Sequence, residues 1–156
     1  MTKTIEILAV QVAKKFIESG KTLSIAESFT GGALTSALVQ IPDTGKFLQE
    51  GIVTYTNESK IERLLVSKKD LEKHTAVSEE IAKQMVKHLS QKTDYAISTT
   101  GSAGDTNNQA AQGEYYIALA KEGKTIVIHR TPTGTRKEVI EDGVQSALQI
   151  LLEAFS

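Results

Sequence analysis

The feature that most constrains the fold of this chain is a predicted strand, tight turn and helix in succession. Residues 22–26 form a short apolar run, residues 27–32 (Glu-Ser-Phe-Thr-Gly-Gly) carry turn signals, and residues 33–39 have apolar side chains at helical spacing. This order predicts an α/β fold in which the turn follows the carboxyl end of a strand. The turn places the hydroxyl of Ser28 beside unpaired amides at a helix N-terminus.

Those amides predict an anion site next to Ser28. Backbone N–H groups at a helix N-terminus attract a phosphate or a developing oxyanion, and a serine beside them is a candidate nucleophile. A plain helix cap followed by a turn explains the same residues without any chemistry. The candidate binding residues of this turn are Thr30, Gly31 and Gly32.

Helices and strands alternate in the first part of the chain, and two strands follow each other near its end. Three segments have helical apolar spacing: residues 5–16, 78–89 and 136–155. Four further runs predict strands: residues 51–55, 94–98, 115–120 and 125–129. The last two strands are joined by a predicted hairpin turn. The pattern predicts one domain over residues 1–156, a three-layer α/β/α sandwich with a mixed β-sheet.

Composition and charge exclude several classes of function. The net charge of -1, from 18 basic and 19 acidic side chains, leaves no basic field for nucleic-acid binding. No apolar run approaches the roughly 20 residues that span a bilayer, and the first residues lack an apolar signal core. We therefore expect a cytoplasmic protein without membrane contact. The absence of cysteine excludes thiol chemistry, and the 3 histidines have no metal-ligand spacing, so we expect no metal and no cofactor.

Three polar motifs follow three predicted strands. The first is the Ser28 turn, the second contains Tyr55, Asn57 and Lys60, and the third is a glycine-containing loop predicted over residues 99–113. Ligands in open α/β sheets bind outside the carboxyl ends of the strands, so the motifs predict one shared crevice. Loops are commonly polar, so each motif alone also fits a purely structural role. The candidate binding residues of the third motif are Thr100, Gly101, Ser102, Ala103 and Gly104.

Lys60 is the candidate general base for Ser28. If Asn57 caps the following helix, Lys60 lies in its first turn, where the positive end of the macrodipole disfavours the ammonium form. A serine needs an adjacent base, and lysine is an established alternative to histidine in that role. Tyr55 at the strand end is a candidate to relay the proton or to orient the amine. Purely structural roles also explain both residues. An exposed lysine in the first turn of a helix lowers stability only slightly, and a tyrosine in a strand is commonly half-buried.

Together the motifs resemble those of the CinA C-terminal domain family, over nearly the whole chain. Residues 26–32 (Ala-Glu-Ser-Phe-Thr-Gly-Gly) resemble the family signature Ala-Glu-Ser-Cys-Thr-Gly-Gly, and residues 51–60 resemble its second signature. The resemblance implies deamidation of nicotinamide mononucleotide to nicotinic acid mononucleotide with release of ammonia. It also implies a catalytic group of Ser28, Tyr55 and Lys60, no metal, and a homodimer. We expect such an activity to belong to this domain alone, with a small nucleotide as its substrate.

The sequence departs from the family pattern around the predicted substrate loop. Phe29 replaces the usual cysteine, and we expect its larger ring to reshape the pocket. Residues 101–105 (Gly-Ser-Ala-Gly-Asp) replace Gly-Ile-Ala-Gly-Pro, and residues 105–112 replace a glycine-rich continuation. Arg136 remains from an acid–arginine pair and is a candidate partner for the substrate phosphate, with an exposed first-turn role as the structural alternative. Two other functions stay open: a nucleotide-binding module without chemistry, and an amidohydrolase for another small amide.

Overall fold

A computed structural model of the protein describes residues 1–104 and 111–156. Within these residues the chain forms α1 (Lys3–Ser19), β1 (Leu23–Glu27), α2 (Ala33–Val39), β2 (Leu48–Val53), α3 (Asn57–Leu64), α4 (Lys68–His74), α5 (Glu79–Lys87), β3 (Tyr95–Ser102), β4 (Ala111–Gln112), β5 (Glu114–Lys121), β6 (Lys124–Arg130), β7 (Thr133–Gly134) and α6 (Arg136–Glu153). No helix in the described part of the chain has the length and apolar character needed to cross a membrane.

Five of the strands form one mixed sheet in the order β2-β1-β3-β5-β6. β1 pairs in parallel with both β2 and β3, whereas β3, β5 and β6 pair antiparallel. β4 and β7 form a separate antiparallel pair. The carboxyl ends of the three parallel strands therefore lie side by side at one edge of the sheet. The predicted α/β fold with a mixed sheet is confirmed.

Helices cover both faces of the sheet, and the strands carry different side chains on the two faces. Large apolar residues of β1, β3 and β5 pack against α1, α2 and α6: Leu23, Ile25, Tyr95, Ile97, Tyr115, Ile117 and Leu119. Alanines of the same strands pack towards α5 and its neighbours: Ala26, Ala96, Ala118 and Ala120. Alternation along each strand places these two sets on opposite faces. Small residues let α5 approach the sheet closely, and the Ser98 hydroxyl donates to the carbonyl of Ala82 in α5 at 2.8 Å.

Local signals predicted several element ends correctly. Gly20 ends α1 in the left-handed conformation, with φ of 69°. The hairpin between β5 and β6 is confirmed, and both of its turn residues have positive φ, 48° at Glu122 and 88° at Gly123. That combination suits the twist of a two-residue hairpin.

Three predicted boundaries near the site are wrong. The strand expected over residues 51–55 is β2, Leu48–Val53, so Tyr55 lies after the strand and does not end it. The loop expected from residue 99 begins later, because the main chain of residues 99–102 pairs with β5 as part of β3. The cap of α3 is Thr56, whose hydroxyl accepts the amide of Ser59 at 3.1 Å, and Asn57 is the first helical residue. Threonine and asparagine are both good caps, so the local sequence did not distinguish them.

Candidate active site

The three polar motifs meet in one cavity at the carboxyl ends of the parallel strands. Ser28 follows β1, Tyr55 follows β2, and Thr100 lies near the end of β3. The cavity has a volume of about 310 Å³, which is at the small end for ligand sites. Its described lining residues are Ser28, Phe29, Tyr55, Asn57, Lys60, Ala76, Thr100, Gly101, Ser102, Ala103, Gly104 and Arg136. Of the residues proposed from the sequence, only Thr30, Gly31 and Gly32 are missing from this lining.

Ser28 and Lys60 are in direct contact within this cavity. The Lys60 Nζ lies 2.9 Å from the Ser28 Oγ, although the two residues are far apart in sequence. Lys60 shares the core-facing side of α3 with Leu64, one helical turn later, and its side chain is 1 % exposed. Ser28 is 6 % exposed. The hydroxyl therefore has one buried amine as an immediate neighbour, which is the arrangement that a serine nucleophile and its base require.

Burial is what perturbs the Lys60 amine. Desolvation lowers the pKa of Lys60 from 10.5 to about 8, because the buried site disfavours the charged form. Among the described residues Lys60 forms no ion pair that would offset this cost. The helix dipole expected from the sequence predicts the right direction of this pKa shift but is not its cause. With Thr56 as the cap, Lys60 is the fourth helical residue, and burial rather than the helix dipole explains the shift.

Two main-chain carbonyls fix the orientation of the amine. Lys60 Nζ donates to the carbonyl oxygen of Thr54 at 3.1 Å and to that of Tyr55 at 3.2 Å. Carbonyl oxygens can only accept, so in a neutral amine they take both N–H groups. The nitrogen lone pair is then left for the remaining neighbour, the hydroxyl of Ser28. This geometry prepares the neutral amine to accept the Ser28 proton.

Tyr55 contacts the Lys60 amine through its main-chain carbonyl oxygen, and this contact does not involve its ring. Its side chain is 59 % exposed, and its hydroxyl accepts a hydrogen bond from Arg136 Nη2 at 3.3 Å. Arg136 Nη1 donates to the carbonyl oxygen of Gly104 at 3.0 Å, so the guanidinium joins two walls of the cavity. Among the described hydrogen bonds the Tyr55 hydroxyl makes none with Ser28 or Lys60, and the relay through it stays a prediction. Arg136 is the first residue of α6, as expected, and faces the cavity.

The N-terminus of α2 is occupied by a side chain of the protein itself. The Glu27 carboxylate accepts hydrogen bonds from the amides of Gly32, Leu34 and Thr35 at 3.2, 2.9 and 2.9 Å. The Gly31 amide is also engaged, by the Ser28 carbonyl at 3.1 Å. These contacts use the amides of Gly31, Gly32, Leu34 and Thr35 within the protein, and the expectation that the turn holds a phosphate or an oxyanion stays a prediction for its remaining amides. Sequence reasoning overlooked Glu27, because an acid capping residues seven and eight positions later fits no local capping pattern.

Phe29 lies mainly in the hydrophobic core but also lines the cavity, so the expected reshaping of the pocket stays a prediction. Its ring is 5 % exposed and stacks on Tyr115 with centroids 5.3 Å apart. A Cβ atom added to Gly143 of α6 would approach the ring to 2.4 Å. Glycine at this position therefore provides the room that the phenylalanine ring takes up.

Other features of the surface lack this combination of groups. A larger cavity of about 500 Å³ lies between α1, α2 and α6, and its described lining includes Ile5, Ile140 and Val144. Ser36 and Lys137 also line it, but no described hydrogen bond joins their side chains. In residues 1–104 and 111–156, no group of three or more histidine, aspartate or glutamate side chains is placed to hold a metal ion. The altered segment over residues 105–110 lies outside the described residues.

Comparison with known proteins gives a consistent assignment. A family model described as "CinA C-terminal domain" matches residues 5–155. A CinA-like protein of Fusobacterium nucleatum is 40 % identical over 141 residues, which is 89 % of this chain and 35 % of that protein. A putative competence-damage inducible protein of Clostridium botulinum is 40 % identical over 144 residues, 90 % of this chain and 35 % of the relative. The chain thus spans about a third of the length of these curated relatives.

Solved structures agree with the sequence comparison. The competence or damage-inducible protein of Enterobacter asburiae superposes with a TM-score of 0.91 and 31 % identity, over 99 % of this chain and 100 % of that one. A CinA superfamily protein of Escherichia coli has a TM-score of 0.88 and 30 % identity, over 99 % of this chain and 93 % of its own. The chain belongs to the CinA C-terminal domain family.

Proposed function

We propose that the protein is an amidohydrolase that deamidates nicotinamide mononucleotide to nicotinic acid mononucleotide and ammonia. The observation that carries the proposal is the contact of 2.9 Å between the buried Lys60 amine and the Ser28 hydroxyl. The resemblance of the sequence motifs to those of the family supports the choice of reaction. Burial that brings the pKa of Lys60 to about 8 supports its role as a base near neutral pH.

The first step is attack of Ser28 on the carboxamide carbon. Neutral Lys60 takes the hydroxyl proton as the Ser28 Oγ forms a bond to that carbon. The resulting ammonium then gives the proton to the amide nitrogen as the C–N bond breaks and ammonia leaves. Water hydrolyses the acyl-enzyme with Lys60 again acting as base, which releases the acid and restores the serine.

The oxyanion of this reaction needs hydrogen-bond donors close to Ser28. Among the described hydrogen bonds, none uses the amides of Phe29 or Thr30, whereas the next three amides of the turn are engaged. These two amides are therefore the candidate oxyanion donors within the turn, and the main chain of residues 101–104 is the other candidate. Removing one such donor typically costs about 10²–10³ in rate.

The charge of the cavity favours an anionic substrate. Arg136 is the cationic side chain among its described lining residues that keeps its charge when Lys60 acts as a neutral base, and no described carboxylate lines the cavity. Arg136 also presents a fork of N–H donors suited to a phosphate. These features support a mononucleotide, and they favour Arg136 as the partner of its phosphate because Glu27 already occupies the N-terminus of α2.

Ammonia release from nicotinamide mononucleotide by the purified protein tests the proposal. We expect turnover by the unmodified chain, no turnover by Ser28→Ala, and no turnover by Lys60→Met, with all three folded by circular dichroism. Turnover retained by Ser28→Ala would remove the nucleophile from the scheme. A folded wild-type protein that releases no ammonia would refute the substrate.

Replacing Arg136 separates phosphate recognition from chemistry. We expect Arg136→Gln to raise KM for the mononucleotide by about tenfold or more, the scale of a lost charge-assisted bond, with a smaller effect on kcat. Nicotinamide riboside, which lacks the phosphate, is the matched substrate and should show little change in KM. An equal change for both substrates would contradict the phosphate role.

An amidohydrolase for a different small anionic amide is the second candidate. The sequence departures over residues 101–112 favour it, because this segment adjoins the cavity at Gly104. A panel of amides with and without phosphate distinguishes the two substrates. Nucleotide binding without ammonia release would instead indicate the binding module. The homodimer implied by the family resemblance belongs to this proposal as well, and light scattering measures it.

A further inference from the structure

We infer that Glu27 is a positioning residue for Ser28, acting through a directed chain of hydrogen bonds. The inference rests on the proposed role of Ser28 as a nucleophile. Glu27 is the residue immediately before Ser28 and is fully buried. In addition to three backbone amides, its carboxylate accepts the hydroxyls of Thr30 and Thr35, both at 2.6 Å.

The donors and acceptors along one branch can be assigned in order. Thr30 has a single hydroxyl proton, which it donates to Glu27 Oε1, so its remaining contact with Thr99 Oγ1 at 2.7 Å must be as acceptor. Thr99 therefore donates to Thr30. Its oxygen is then free to accept the amide of Ser28, which lies 3.3 Å away, while the Thr99 carbonyl accepts the same amide at 3.0 Å.

The branch runs from the Ser28 amide through two hydroxyls to the carboxylate. Every described member is buried, so water does not compete for these bonds. It joins the end of β1 to β3 next to the nucleophile in sequence. Because the Ser28 amide is used here, it is not available as an oxyanion donor, and the main chain that carries the hydroxyl is held by bonds that do not involve Lys60.

The second branch of Glu27 serves α2 alone. Thr35 lies in α2 and donates both its amide and its hydroxyl to Oε2. The two threonine hydroxyls thus make bonds of equal length to the same carboxylate, but only the Thr30 bond continues to Ser28. Thr30→Val and Thr35→Val form a matched pair in which each variant loses one hydroxyl bond to Glu27, and only Thr30→Val also loses the bond with Thr99 that leads to Ser28.

The test measures both variants with two readouts. Turnover of nicotinamide mononucleotide gives kcat and KM, and a small alkyl fluorophosphonate reports Ser28 reactivity without that substrate. In labelling, the Ser28 Oγ–P bond forms, the P–F bond breaks with loss of fluoride, and Lys60 takes the proton. We expect Thr30→Val and Thr99→Val to lower kcat and the labelling rate about tenfold or more with KM nearly unchanged, the scale of a small displacement of a reacting group.

Thr35→Val should lose thermal stability through its own bond to Glu27 but keep wild-type kcat and labelling. Thr30→Ser, which retains the hydroxyl, should restore both rates. Equal rates in Thr30→Val and Thr35→Val would overturn the inference. Glu27→Gln leaves at least two of the hydrogen-bond donors around this carboxylate without an acceptor, so that variant is at risk of not folding. The comparison of Thr30→Val with Thr35→Val tests the inference without it.

The proposed function and this inference fail in different ways. If the wild-type protein labels at Ser28 but releases no ammonia, the proposed substrate is refuted. The comparison of labelling rates between the variants still tests the positioning role of Glu27. If the wild-type serine does not label, hydrogen exchange of the Ser28 amide decides: faster exchange in Thr30→Val than in Thr35→Val supports positioning, and equal exchange refutes it.

Discussion

Replacing Lys60 by methionine should make protein stability less dependent on pH. Methionine has a similar length and apolar stem but no titratable group. Lowering the pKa of Lys60 from 10.5 to about 8 means that the unfolded chain binds more protons at this side chain between these two values. Stability of the wild type therefore rises with pH through that window.

The magnitude follows from the two pKa values. The ionised lysine costs the folded state about 3 kcal/mol at pH 7 and about 1 kcal/mol at pH 10, relative to a group that does not titrate. The carbonyls of Thr54 and Tyr55 lose their donor in the variant, but this loss is the same at both pH values and cancels. The stability difference between wild type and Lys60→Met should thus shift by about 2 kcal/mol in favour of the wild type between pH 7 and pH 10.

Urea denaturation at both pH values measures this double difference. Lys69→Met is the matched control, because Lys69 is an exposed lysine of α4 and its variant should show no comparable shift. A difference that stays constant between pH 7 and pH 10 would mean that Lys60 titrates near its ordinary value. Such a result would refute the argument that burial prepares this lysine as a base.

Three further predictions concern the pH profile, the core and the helix cap. The kcat/KM for ammonia release should rise with pH to a plateau with a midpoint near 8, because only the neutral form of Lys60 accepts the Ser28 proton; a profile flat from pH 6 to pH 9 would contradict this. Gly143→Ala should lower the free energy of unfolding by about 1–3 kcal/mol in urea, since its Cβ meets the Phe29 ring, and a Phe29→Cys background should reduce that loss. Thr56→Ala should lower the free energy of unfolding by about 1 kcal/mol and Asn57→Ala by clearly less, because only Thr56 accepts an amide of α3; equal losses in thermal melts would contradict the cap assignment.

Much of the fold could be predicted because its signals are local. The amphipathic pattern of α5, the glycine that ends α1 and the turn of the β5–β6 hairpin each depend on a few neighbouring residues. The approach of Ser28 to Lys60 was also predictable, since both follow strands of one sheet and strand ends gather the residues of a site.

The errors arose where a distant part of the chain decides the local structure. Thr99 and Thr100 have a loop-like sequence, but pairing with β5 extends the strand through them. The packing of Phe29 in the core has no local signal, because the room for its ring is provided by Gly143, more than a hundred residues later. The role of Glu27 could not be predicted because its hydrogen-bond partners in α2 lie farther along the chain than a capping motif extends.

The unequal faces of the sheet have a consequence for how the sequence can diverge. Ala96 and Ala118 lie on the face against α5, where a larger side chain would force helix and sheet apart. Ile97 and Leu119 alternate with them on the other face, where exchanges among large apolar residues keep the total volume. Accepted substitutions should therefore be rare at alternate positions of the central strands and frequent at the positions between them. The rate of accepted substitution along β3 and β5 would then alternate from one residue to the next.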